Sequence, residues 1–272
     1  MPRNRNLANL ALSLLIPALA ACGACKPAAE AARDSALQRP AASRPAAPPA
    51  SSPAASKAPA VLQETGAPAA PGPLVAFLGD SLTAGLGLPL DQAYPALLGQ
   101  KMKQLGAPIR VLNAGVSGDT SAGGLRRLSW ILAQRPAVVV VELGANDALR
   151  AQPPEEIERN LREIVSRARA AGARVLLVGM QIPPNYGPDY AGRFAAIFPR
   201  LARELHVALV PFLLSGVGGV FELNQADGIH PTAEGHERVA ATVAPYLLQV
   251  LTGNDQAEPR AAQAPGEKRR AG

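Results

Sequence analysis

The sequence predicts an α/β fold built on a parallel sheet, and three observations carry that expectation. Between residues 74 and 251, short apolar runs alternate with amphipathic stretches of helical period. The most apolar run, AVVVVEL within residues 136–143, is β-branched almost throughout, as a central parallel strand buried on both faces should be. Several runs stop abruptly in glycine and polar residues, Gly79-Asp80-Ser81 after the first and Gly144-Ala145-Asn146-Asp147 after the strongest. In an open parallel sheet, functional sites are built beyond the carboxyl ends of the strands.

In chain order, residues 74–78 (LVAFL) read as the opening buried strand, with Ser81 on the turn that leaves it. Residues 91–105 place Tyr94, Leu97, Leu98, Met102 and Leu105 at helical spacing, and Gly106 and Pro108 end that helix. Residues 109–112 form a short second strand, followed by the polar turn Asn113-Ala114-Gly115-Val116-Ser117-Gly118-Asp119-Thr120. A helix over 120–134 takes Asp119 or Ser117 as its cap. After the central strand, residues 153–171 form an amphipathic helix with Ile157, Leu161, Ile164 and Val165 inward. Residues 174–180 give a fourth strand and 181–192 a loop rich in Pro, Gly and Tyr. A helix spans 193–205 and a fifth strand 207–211. Residues 216–224 are irregular, and 232–251 form a last helix capped by Thr232. Five strands alternating with helices imply a parallel sheet covered on both faces.

The flanks differ in kind. Of the 27 Lys and Arg and 21 Asp and Glu in the chain, residues 74–252 hold 16 and 15, so the high pI belongs largely to the tails. The domain shows no basic face suited to nucleic acid. Both cysteines, Cys22 and Cys25, lie near the N-terminus, so the domain has neither a disulfide framework nor a Cys-based metal site. Residues 1–21 read as an export signal: Arg3 and Arg5 precede an apolar stretch over 7–19 that is short for a membrane span. Leu19-Ala20-Ala21-Cys22 resembles a bacterial lipobox, which makes Cys22 the expected lipid anchor to the membrane. The alternative is an ordinary cleavable signal with an incidental cysteine. Gly23 after Cys22 favours the outer membrane, by analogy with enteric bacteria. Residues 22–73, rich in Ala, Pro and Ser from position 26 onward, read as a disordered tether with a reach of ~40 Å. Residues 253–272 read as a disordered basic tail.

One set of residues carries chemistry. Serine is a weak nucleophile until a base takes its proton. Of the three histidines, His206 falls at a helix end and His236 inside the last helix, where structural roles suffice. His230 instead lies in a loop after the last strand, at the same sheet edge as Ser81. Asp227, three residues earlier, is placed to fold its carboxylate onto the imidazole, set the tautomer and stabilise the imidazolium. Acyl transfer also needs donors where negative charge develops. Gly118 offers a backbone N–H, Asn146 a side-chain amide, and Ser81 its own N–H.

Gly79-Asp80-Ser81-Leu82, Gly118, Gly144-x-Asn146-Asp147 and Asp227-x-x-His230 occur in the order of the four blocks of the GDSL, or SGNH, hydrolase family. The chain resembles that family over roughly residues 74–251. Ser117-Gly118-Asp119-Thr120-Ser121, Glu142-Leu143-Gly144 and Pro183-x-Asn185-Tyr186-Gly187 are most similar to its bacterial multifunctional acyl-thioesterase, lysophospholipase and arylesterase group. The resemblance implies a three-layer α/β/α, flavodoxin-like sandwich on a five-stranded parallel sheet. It implies Ser81, Asp227 and His230 as a triad, with Gly118 and Asn146 completing an oxyanion hole. It further implies a small-molecule acyl ester or thioester substrate, no metal or cofactor, and an acyl-chain groove bordered by residues 181–192. The expected activity is that of a serine esterase. The alternatives are deacetylation of a cell-envelope sugar and a non-catalytic envelope-binding lipoprotein.

Overall fold

A computed structural model describes residues 72–253. The export signal, the Cys22 anchor, nearly all of the tether and the basic tail lie outside the described residues. The elements are β1 (Leu74–Gly79), α1 (Ser81–Ala84), α2 (Tyr94–Gln104), β2 (Arg110–Gly115), α3 (Ser121–Ala133) and β3 (Val138–Glu142). They continue as α4 (Ala145–Leu149), α5 (Pro154–Ala170), β4 (Arg174–Val178), α6 (Pro188–Leu205), β5 (Ala208–Val210) and α7 (Ala233–Thr252).

The five strands pair in parallel in the order β2-β1-β3-β4-β5. The chain moves outward from β1 to β2, then crosses back to β3 and continues the other way. The reversal puts the switch point at the carboxyl ends of β1 and β3, the place where open parallel sheets bind ligands. Register makes this local: Gly79 of β1 lies opposite Gly115 of β2 and Glu142 of β3. Three chain segments therefore leave the sheet side by side. On one face α2 packs on α7, and on the other α3, α5 and α6 pack in succession. β3 and all of β1 after Leu74 are sealed from solvent, whereas β2 is an edge strand and partly exposed. Aliphatic side chains fill most of the core, joined by Tyr94, Phe77 and an edge-to-face pair of Phe194 and Phe198.

Several boundaries differ from the sequence expectation, each for a local reason. The second helix starts at Tyr94, after a 3-10 turn at Leu90–Gln92, not at residue 91. A helix begun at residue 91 would put Pro95 in its interior, where the ring meets the carbonyl four residues back. Starting at Tyr94 leaves Pro95 in the first turn, where no donor is lost. β2 runs on through Asn113 to Gly115, which pair with Phe77 to Gly79 of β1; Asn113 Oδ1 accepts the Gly115 N–H at 2.9 Å and Nδ2 donates to the Thr83 carbonyl at 2.9 Å. The cap of α3 is Thr120, whose hydroxyl accepts the Gly123 N–H, and neither Asp119 nor Ser117. Residues 181–192 are not all loop. α6 begins at Pro188, whose fixed φ suits a first helical position. The short helices α1 and α4 carry too few residues to show a period.

The α2–α7 contact has a polar centre. Ala93 gives α2 no side-chain cap, and Nδ1 of buried His236 on α7 accepts the Tyr94 N–H at 3.2 Å instead. The two rings stack with centroids 6.3 Å apart. Burial, reinforced by nearby His230, pushes the His236 pKa down from 6.5 to about 4. The neutral ring is the folded form, so the unfolded chain binds the extra proton. Stability from this group is complete above about pH 6.5 and is lost as pH falls toward 4, by about 3 kcal/mol in all. Replacing His236 with Asn keeps an acceptor near Nδ1 and removes the titration. The drop in Tm between pH 7 and pH 4.5 should then be smaller in His236→Asn than in the parent, measured by thermal melts in matched buffers. An equal drop would remove His236 as an acid-labile point.

Candidate active site

The site grows from the end of β1. Gly79 is the last strand residue, and its lack of a side chain is a packing requirement. A Cβ there would lie 2.0 Å from Thr83 Oγ1 and 2.8 Å from Glu142 Oε2. Asp80 follows as the cap of α1, with Oδ1 accepting the Leu82 N–H at 3.0 Å. Ser81 is thus the first residue of a helical turn, and its side chain is largely buried.

From the other end of the chain, the loop before α7 delivers His230. An antiparallel bridge between Asn224 and Pro231 pins its two arms, and the Gln225 N–H donates to the His230 carbonyl at 2.7 Å. Gln225 Nε2 then reaches the Leu86 carbonyl just beyond α1 at 2.8 Å, tying this loop to the Ser81 segment. His230 Nε2 lies 2.9 Å from Ser81 Oγ, and its Nδ1 lies 2.6 Å from Asp227 Oδ2. The other carboxylate oxygen of Asp227 accepts the backbone N–H groups of Ile229 and His230, at 2.9 and 3.0 Å. The His230 N–H, the His230 ring and the Ile229 N–H together hold the Asp227 pKa down at about 2. Asp227 is therefore an anion across the working pH range. An acceptor-only carboxylate assigns the Nδ1 proton, which leaves Nε2 free to accept from the serine hydroxyl.

The two remaining expected residues flank Ser81 on neighbouring strands. Asn146 stands in the first turn of α4, beyond β3. Its Nδ2 donates to Asp80 Oδ2 at 3.0 Å, which leaves one amide hydrogen for another acceptor. Gly118 lies in a turn beyond β2 that is closed by the Asp119 N–H on the Val116 carbonyl at 3.0 Å. Its φ of +77° is the left-handed value that a third turn position demands and that glycine supplies without strain. Arg150 Nη2 donates to the Gly118 carbonyl at 3.1 Å. Among the described residues, the N–H groups of Ser81 and Gly118 enter no hydrogen bond. Ser81, His230 and Asp227 thus meet directly. Asn146 joins them through Asp80, and Gly118 through the β1–β2 register.

Three supporting features were not read from the sequence. Asp80 couples the helix that carries Ser81 to Asn146. It is buried, and desolvation raises its pKa to about 6 against the pull of the Leu82 N–H, Glu142 and Asn146. Behind it, fully buried Glu142 accepts the Thr83 hydroxyl at 2.8 Å and the Asp80 N–H at 3.3 Å through Oε2. Burial and the adjacent Asp80 charge push the Glu142 pKa well above its ordinary value. Its position, a lone carboxyl ending an otherwise apolar strand, was the available signal. Asp147 accepts the Ser121 N–H at 2.8 Å and the Ser121 hydroxyl at 2.6 Å, fixing α4 against the start of α3. Nothing in the local pattern marks that contact.

Comparison with known proteins gives the family. Residues 77–238 match the model of the GDSL-like lipase/acylhydrolase family. The chain is 49% identical over 175 residues to the esterase TesA of Pseudomonas aeruginosa, covering 64% of this chain and 87% of that one. It is 42% identical over 188 residues to thioesterase 1/protease 1/lysophospholipase L1 of Escherichia coli K12, covering 69% and 88%. A crystal structure of TesA superposes with a TM-score of 0.63 at 47% identity, over 65% of this chain and 99% of that one. The match over residues 77–238 and these relatives place the chain in the GDSL-like lipase/acylhydrolase family.

Proposed function

We propose that the protein hydrolyses carboxylic esters and thioesters through an acyl-enzyme on Ser81. The observation that supports it most is the hydrogen-bonded line from Asp227 through His230 to Ser81, at 2.6 and 2.9 Å. His230 Nε2 takes the hydroxyl proton as Ser81 Oγ bonds to the substrate carbonyl carbon. The carbonyl electron pair moves onto oxygen, which the Ser81 and Gly118 N–H groups and the free Asn146 amide hydrogen receive. Collapse of the tetrahedral adduct breaks the bond to the alcohol or thiol, which leaves with the proton from the imidazolium. Water then repeats the sequence on the acyl-enzyme. Asp227 stays ionised throughout and stabilises each imidazolium.

An apolar acyl group suits the surroundings. Ile229 beside His230, Leu149 at the end of α4 and Tyr186 between β4 and α6 are exposed apolar side chains. Tyr186 donates to the Leu149 carbonyl at 3.2 Å and Tyr190 to the Gln152 carbonyl at 2.6 Å, so the 181–192 segment is moored to the helix of Asn146. Esterase TesA and thioesterase 1/protease 1/lysophospholipase L1 are the names of relatives, and they support acyl esters and thioesters as substrates here.

Ser81→Ala should lower turnover of p-nitrophenyl butyrate by at least ~10⁴-fold and abolish labelling by a fluorophosphonate, with an unchanged melting temperature. A folded variant that keeps its turnover would exclude Ser81 as nucleophile. Asn146→Ala should cost ~10²–10³-fold in kcat while still taking the fluorophosphonate label slowly. A kcat within a few-fold of the parent would remove Asn146 from the oxyanion site.

A further inference from the structure

We propose that Arg127 is a positioning residue for the reaction, holding the Gly118 turn in place to receive the oxyanion. The proposal rests on the reading of Gly118 given above. Arg127 lies on α3, outside every motif that identified the site, yet its guanidinium reaches three segments that meet there. Nε donates to Asp119 Oδ2 at 2.7 Å, immediately after Gly118. Nη1 donates to the Ala114 carbonyl near the end of β2, and Nη2 to the Gly79 carbonyl at the end of β1, at 2.9 Å. The Gly79 carbonyl also accepts the Val116 N–H at 3.1 Å, so one oxygen anchors both the clamp and the start of the turn.

The geometry leaves the turn little freedom. Asp119 uses both carboxylate oxygens, Oδ2 on Arg127 and Oδ1 on the Thr120 N–H at 3.0 Å. Gly123 presses against it from the other side, since a Cβ there would lie 1.7 Å from Asp119 Oδ1. The side chains of Arg127 and Asp119 are only 18% and 12% exposed, whereas the Arg162–Glu204 pair between α5 and α6 is 39% and 47% exposed. Solvent therefore competes weakly for the clamp. A planar fork with donors in fixed directions can serve the Asp119 carboxylate and two carbonyls at once, and a lysine ammonium cannot reproduce that spread. Gly118 is an exposed residue at a positive φ with no side chain of its own, so its N–H is aimed by the Arg150 contact on its carbonyl and by what holds its neighbours. A displacement of about 1 Å in a reacting geometry can cost ~10²-fold in rate.

The test compares purified Arg127→Met, Arg127→Lys, Asp119→Asn and the Arg127→Met/Asp119→Asn pair with the parent. The readouts are Tm, kcat and KM for p-nitrophenyl butyrate, and inhibition by an alkyl boronic acid, which forms a tetrahedral adduct on the serine. Arg127→Met is expected to lose ~10–100-fold in kcat with KM within about threefold, and to lose boronate affinity in step with kcat/KM. The double variant should be no slower than the slower single one, because both break one unit. Added guanidinium ion should restore part of the rate to Arg127→Met. A folded Arg127→Met with kcat within twofold of the parent, or with boronate affinity unchanged, overturns the proposal. Should Arg127→Met fail to fold, Arg127→Lys is expected to show the same loss in kcat, and parental kcat and boronate affinity in Arg127→Lys overturn the proposal equally. Failure of the underlying reading looks different, since the parent itself would then neither turn over the ester nor bind the boronate.

Discussion

The carboxylate of Asp80 is the constraint around which the site is arranged. One oxygen caps the helical turn that begins with Ser81, and the other holds the side-chain amide of Asn146. A single buried group thereby fixes a residue beyond β1 relative to a residue beyond β3. Burying a charge in this way is costly unless every lone pair is answered. The costs are visible here. Desolvation lifts Asp80 to about 6, and Glu142 behind it leaves Oε1 buried without a hydrogen-bond partner among the described residues. Such a carboxyl pair spends stability on geometry, as a site built for placement rather than for maximal stability should.

The sheet supplies the frame for that constraint. Parallel strands in the order β2-β1-β3 deliver three chain segments to one rim in fixed register, and each contributes one group. Preorganised donors avoid the reorganisation that water would need as charge develops, which is why their placement outweighs their number. The loop carrying Asp227 and His230 comes from far along the chain and has no strand partner at this rim. It is held instead by the Asn224–Pro231 bridge and by Gln225 reaching across to Leu86. The Asp227 side chain is 45% exposed, so its hold on the imidazole comes from backbone N–H groups and a short contact more than from a low dielectric.

Much of this was legible in the sequence, for identifiable reasons. The apolar run ending in Glu142 and the glycine-terminated run ending at Gly79 declare buried parallel strands, because both faces of such a strand must be apolar. Ser81, Gly118, Asn146, Asp227 and His230 were legible because each stands where a strand or loop meets the sheet edge. Helix starts were read less well. Tyr94 takes its cap from His236, 142 residues away, and no local pattern encodes that. The same limit hid the contacts of Arg127 and Asp147, whose partners are carbonyls, an aspartate and a serine brought near only by the fold. Local propensity reports what a residue does to its own segment, while positioning contacts join different segments.

The proposed chemistry requires groups from four separate loops to act on one carbonyl. The most direct test is a crystal structure of the protein after reaction with a short alkyl phosphonate. Phosphorus is expected on Ser81 Oγ, with one phosphonyl oxygen within ~2.7–3.1 Å of the Ser81 N, Gly118 N and Asn146 Nδ2 together. An adduct on another residue, or a phosphonyl oxygen turned to solvent with Gly118 and Asn146 unengaged, would contradict it.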